Sequence, residues 1–159
     1  VRFDWGAPSG GLIAVDVPAA RAYVGFTGGS TVRIGDTRVE GLNRPFVSLV
    51  FVAEDGRPLA QSKSILVTLV ARSSNTGFQL EVSKMKKPWA EGLAQAVVNP
   101  GHAPILVDRV AARVTAPWLT GLSYRKYNFS RQLFAQGPVG GAFVVTATEP
   151  LFYARLTRP

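Results

Sequence analysis

The sequence predicts an all-β fold, an antiparallel β-sandwich of jelly-roll-like type, built as one domain spanning residues 1–159. Three observations predict it. Short apolar runs follow one another along the whole chain, separated by turns that draw on 16 Gly and 11 Pro. Several runs alternate apolar and polar residues with a period of two. No amphipathic helical pattern exceeds a turn or two, and the best helical candidate, residues 89–96, contains Gly92. A chain of 159 residues is long enough to bury about two-thirds of its unfolded surface around one core.

Residues 2–5 and 12–16 read as opening strands, followed by 21–27, 31–34 and 37–42, with turn signals at Gly28-Gly29-Ser30 and Gly35-Asp36. Residues 46–53 are almost wholly apolar and read as a buried central strand. In Glu54-Asp55-Gly56, Gly56 supplies the positive φ of a tight turn, and Pro58 keeps the next residues out of a central ladder. Residues 65–72 form the next strand. Its 65–71 run is β-branched and apolar with only Thr68 polar, the pattern of a strand covered on both faces. Asn75-Thr76-Gly77 breaks it. Strands at 78–82, 96–98 and 105–115 come next. In the last, Val110, Ala112 and Val114 share one face, while Arg109, Ala111, Arg113 and Thr115 give the other a basic character. Residues 122–127, 141–148 (a second buried central strand) and 152–157 complete the set.

Hydrophobic residues make up 47% and charged residues 18%, which excludes intrinsic disorder. No apolar run reaches the eighteen or so residues of a membrane span, and no membrane partner is expected. The chain starts at Val1 with neither Met nor an apolar signal core, as a mature or excised piece would. Lys and Arg number 18 against 10 Asp and Glu, giving +8. Residues 1–80 carry eight basic and six acidic side chains, residues 81–159 ten and four, so the excess lies in the C-terminal half. There is no run of five or six basic residues, no zinc-ligand spacing and no RNP-like aromatic motif, so nucleic acid is not the expected partner.

Catalysis is not expected. The single histidine, His102, lies in Pro100-Gly101-His102-Ala103-Pro104, and the absence of cysteine excludes a Cys–His pair. Ser9, Ser62, Ser64, Ser123 and Ser130 lack a nucleophile-elbow context. Asp36, Glu54 and Asp55 sit in turns whose geometry already accounts for them, and Asp108 precedes Arg109 as a structural partner. No cofactor and no transition metal are expected; turn carboxylates leave a structural calcium open.

Asp55-Gly56-Arg57-Pro58-Leu59-Ala60-Gln61-Ser62, the apolar run to Ala71-Arg72 and Asn75-Thr76-Gly77 carry a resemblance. They are similar to D-G-x-P-(I/L)-A-x-S, an apolar strand ending in A-R, and N-T-G, as found in β-sandwich domains that follow the catalytic barrel of large secreted glycoside hydrolases. Val17-Pro18-Ala19-Ala20-Arg21-Ala22-Tyr23-Val24-Gly25-Phe26 resembles the opening of those domains, with Val17 where Thr is usual. The stretch from Gly101 to Thr115 resembles their G-x-x-P-(I/V)-L strand, with Asp108 for Glu. Leu151-Phe152-Tyr153 stands where an aromatic pair often closes the domain. The likeness spans roughly residues 11 to 158. It implies a secreted or periplasmic, non-catalytic accessory module, with a catalytic glycoside hydrolase domain as covalent partner and polysaccharide as ligand.

Sugar binding needs exposed aromatic rings for the C–H faces of pyranoses, with polar side chains beside them for the hydroxyls. The candidates are Trp89 and Trp118 in polar, Pro-containing loops, and Tyr124, Arg125, Lys126 and Tyr127 in an aromatic-cationic stretch. Strand alternation puts Tyr124 and Lys126 on one face and Arg125 and Tyr127 on the other. Lys86 and Lys87 join them if the glycan is anionic. The alternatives are a structural companion packed on a catalytic barrel, and a small enzyme or a nucleic-acid- or capsid-type sandwich favoured only by net charge.

Overall fold

A computed structural model describes residues 1–4, 11–27, 31–81 and 96–159. Its strands in chain order are Arg2–Asp4 (β1), Leu12–Val17 (β2), Ala20–Phe26 (β3), Val32–Ile34 (β4), Thr37–Glu40 (β5), Phe46–Ala53 (β6), Ser64–Val70 (β7) and Ser73–Thr76 (β8). They continue with Gln79–Leu80 (β9), Val97–Asn99 (β10), His102–Val107 (β11), Ala112–Thr115 (β12), Ser123–Tyr127 (β13), Leu133–Pro138 (β14), Phe143–Val145 (β15) and Tyr153–Thr157 (β16). Two compact units result: Val1–Ala71 with Arg109–Pro159, and Arg72–Asp108.

The first unit is the antiparallel β-sandwich that the alternating pattern predicts. Its large sheet has eight strands in the order β1-β2-β3-β6-β7-β16-β13-β14, and its small sheet has four in the order β15-β12-β5-β4. Every pairing is antiparallel. Period-two burial follows from the pleat: Val47, Leu49, Phe51 and Ala53 of β6 and Ile65, Val67 and Leu69 of β7 point inward. They meet Ile34, Val39, Val114 and Phe143 of the small sheet in one cluster. Burying each large apolar side chain contributes about 1.5–3 kcal/mol, which makes this seam the main source of stability.

Several expectations are corrected here. The strand read as covered on both faces is fully buried only on its inner one, and Leu66, Thr68 and Val70 remain half-buried. The second central strand, 141–148, shrinks to β15 at the edge of the small sheet, bonded to β12 alone. Gly140 and Gly141 hold positive φ just before it, so pairing starts late. The run 105–115 is two strands, β11 and β12, which belong to different units and part at Asp108–Arg109. The strand β14 is additional: its Gly137-Pro138 end reads as a turn but pairs with Ser123 and Tyr124. The polar tetrapeptide of β8 is likewise a strand, and the break follows at Gly77, whose φ is 74°.

In the second unit β8 pairs with β11 and β9 with β10. Asn75 Nδ2 donates to the Pro100 carbonyl at 2.9 Å and Thr76 Oγ1 to the Pro104 carbonyl at 2.7 Å. Residue 5, the turn at 28–30, residue 82 and most of the helical candidate (89–95) lie outside the described residues.

Candidate functional site

Alternation along β13 sends Ser123, Arg125 and Tyr127 to the outer face of the large sheet, and Tyr124 and Lys126 inward. The neighbouring strand β16 is in register, so Arg125 lies opposite Arg155 and Tyr127 opposite Tyr153. The outer face therefore carries an aromatic row and a basic row two residues apart, about 7 Å along the strands. The Tyr127 and Tyr153 rings stack with centroids 4.7 Å apart and planes 12° apart. Phe152 meets Tyr153 edge-on at 5.7 Å and lies 5.0 Å from Phe129. Phe129 and Phe152 are 51% and 38% exposed and lie side by side, so they form an apolar patch rather than isolated exposed rings. The turn carrying Phe129 is held by Asn128, whose Oδ1 accepts from the backbone N–H groups of Ser130 (3.0 Å) and Gln132 (2.9 Å).

Beside these rings a shallow groove of about 320 Å³ is lined by Glu54, Leu66, Thr68, Phe152, Tyr153 and Arg155. Arg155 Nη2 donates to Glu54 Oε1 at 2.8 Å, and the Ser64 hydroxyl donates to Glu54 Oε2. The Ser64 hydroxyl foremost, with help from Arg155, holds the Glu54 carboxyl below its ordinary pKa; the bond to Glu54 pushes the Arg155 guanidinium higher still. At neutral pH the groove thus has an apolar floor, an aromatic wall and a fixed ion pair. Arg125, exposed, lies between Arg155 and Gln136 in the ladder and makes no hydrogen bond or ion pair among the described residues.

Of the candidates named from sequence, Arg125 and Tyr127 are on this face. Trp118 is not: it is 4% exposed, follows Pro117 in a single 3₁₀ turn and donates Nε1–H to buried Thr37 Oγ1 at 2.9 Å. Its ring stands edge-on to Phe51 at 5.2 Å, so it is part of the core cluster. Lys126 is 3% exposed, bonded through Nζ to Glu149 (2.7 Å) and the Val144 carbonyl (2.6 Å), with the Tyr124 and Phe143 rings beneath it. Tyr124 packs against the core. These three point inward because strand parity or loop packing turns them there. Trp89, Lys86 and Lys87 lie outside the described residues. Sequence reasoning missed Phe129, Phe152, Tyr153, Arg155 and Glu54 as members of one face. The signal was the alternation of Tyr153, Arg155 and Thr157 with buried Ala154 and Leu156.

Several of the groups weighed for catalysis have partners within the fold. His102 Nδ1 donates to the Ala103 carbonyl at 2.6 Å, Asp36 pairs with Arg21 at 3.4 Å and Asp108 with Arg72 at 3.7 Å. Among the described residues no three His, Cys, Asp or Glu side chains are grouped to hold a metal ion. No family model, curated protein or solved structure matches this chain.

Proposed function

We propose that this chain is a non-catalytic accessory module of a secreted or periplasmic polysaccharide-degrading enzyme, and that it binds carbohydrate on the outer face of its large sheet. The observation that carries the reading is the groove where the Phe152 and Tyr153 rings stand beside the Glu54–Arg155 pair. A pyranose presents C–H groups on its faces and hydroxyls around its edge. Rings fixed by mutual stacking take the former with little loss of side-chain entropy, and an ion pair fixed by Ser64 offers both donors and acceptors to the latter.

Affinity electrophoresis through gels containing xylan, β-glucan, polygalacturonate or a sulfated galactan tests it. Wild type should be retarded by at least one. Phe152→Ala and Tyr153→Ala should weaken retention by about 1–3 kcal/mol, by analogy with base–aromatic stacking. The second reading is a structural companion packed on a catalytic barrel, favoured by the half-buried Val50, Val52 and Leu66 on the same face and by the exposed Phe26–Phe46 pair at 5.4 Å. Wild type unretarded in every gel would decide for the companion.

A further inference from the structure

We infer that the glycan this face takes is acidic, with its carboxylate or sulfate held by Arg125. The inference rests on the carbohydrate-binding reading and names its ligand class. Two arginines directly opposite each other on adjacent strands repel, and such a pair is retained at a cost to the sheet. Glu54 neutralises only one of them, since its carboxylate is engaged by Arg155 on one oxygen and by Ser64 on the other. The three side chains Glu54, Arg125 and Arg155 therefore carry a net charge of +1, and that excess resides on Arg125.

Arg125 sits two residues from Tyr127 on the same strand face, as Arg155 does from Tyr153. One sugar ring against the aromatic row thus brings a substituent at its edge to the basic row. A guanidinium offers parallel N–H donors that match a carboxylate or a sulfate in bidentate fashion, and its planar form suits an exposed, ring-bordered site better than an ammonium would. Across Arg125 on the other side, Gln136 adds an amide that can bond the neighbouring hydroxyl.

A protein of net charge +8 attracts polyanions without any site, so the test needs a charge-matched control. Arg113 on β12 of the small sheet, exposed and far in the topology from β13, supplies it. Wild type (residues 1–159), Arg125→Gln, Arg113→Gln and Tyr153→Ala are run at two salt concentrations in gels of polygalacturonate, a sulfated galactan, and neutral xylan and β-glucan. The inference expects at least one acidic glycan to be bound about tenfold more tightly than either neutral one at low salt. It further expects Arg125→Gln to erase most of that difference while Arg113→Gln keeps it; whichever of the two acidic gels responds identifies carboxylate or sulfate. Equal retention by neutral and acidic glycans, lost in Tyr153→Ala, would overturn the acidic ligand and leave sugar binding standing. Equal losses in Arg125→Gln and Arg113→Gln would reduce the effect to net charge and overturn it too. Retention by acidic gels that ignores Tyr153→Ala would overturn the aromatic site itself.

Discussion

Ser62 donates its hydroxyl to Asp55 Oδ1 at 2.8 Å from a position with no exposed surface. The same hydroxyl oxygen accepts from the Ser64 N–H at 3.2 Å and lies 2.8 Å from the Ser64 carbonyl, while Asp55 Oδ2 accepts from the Lys63 N–H at 3.0 Å. Leu59, buried between them in sequence, ties the loop back through its N–H to the Pro18 carbonyl at 2.8 Å. The Asp-Gly-Arg-Pro-Leu-Ala-Gln-Ser motif is therefore a loop lock, and it fixes where Glu54 and Ser64 stand. Ser62→Ala removes a buried donor and acceptor together and should destabilise by about 1–3 kcal/mol. Glycan retention at low temperature should persist, somewhat weakened; chemical denaturation and gel retardation on the same preparation check both.

Acid should unfold this protein through the same loop. Glu54 and Asp55 both have lowered pKa values, Glu54 chiefly through the Ser64 hydroxyl and Asp55 chiefly through the Lys63 N–H. A carboxyl with a folded pKa below its unfolded value, near 4, binds fewer protons when folded. Its contribution is complete above that unfolded value and disappears as pH falls through the folded one. The urea midpoint should hold steady from pH 7 to about 5 and drop on approaching pH 3. Ser64→Ala should flatten that drop. A midpoint equal at pH 6 and pH 3 would refute the assignment.

The sandwich was legible in the sequence because turn residues and period-two runs are local signals. Val47, Leu49, Phe51, Ile65 and Val67 can be assigned to one face by counting alone. What counting leaves open is which strands become neighbours. Tyr127 and Tyr153 are brought together by the β13–β16 ladder, and Glu54 reaches Arg155 across 101 residues of sequence. The same limit applies to the tryptophan. Pro117-Trp118-Leu119 is local loop chemistry, yet whether its indole faces water depends on Thr37 and Phe51, which belong to distant strands. Within a strand parity is reliable, and it separated Arg125 and Tyr127 from Tyr124 and Lys126 correctly.

Trp118 should behave as core. Trp118→Ala deletes an indole in contact with Phe51 and leaves the Thr37 hydroxyl without its indole donor, so a loss of about 3–5 kcal/mol is expected. Trp118→Phe keeps most of the packing and should cost less. Neither variant should lower glycan retention under conditions where it remains folded. A folded Trp118→Phe protein that no longer binds would return this residue to the site.

Lys126 provides the sharpest contrast between two neighbours in sequence. Its side chain is enclosed, with Nζ shared between Glu149 and the Val144 carbonyl, whereas Arg125 next to it is exposed and unpaired among the described residues. Removing the lysine charge leaves Glu149 without its cation, and breaking a buried pair in this way costs about 3–5 kcal/mol. Glu149 retains some solvent contact, with 22% of its side chain exposed, which moves the expectation for Lys126→Met to the lower end. Pairing it with Glu149→Gln removes the orphaned charge, so the double variant should recover part of the loss. Arg125→Gln, one residue away, should change stability by less than about 0.5 kcal/mol, as surface substitutions do. Urea denaturation of the four proteins decides: a Lys126→Met variant as stable as Arg125→Gln would show that the buried ammonium holds nothing in place.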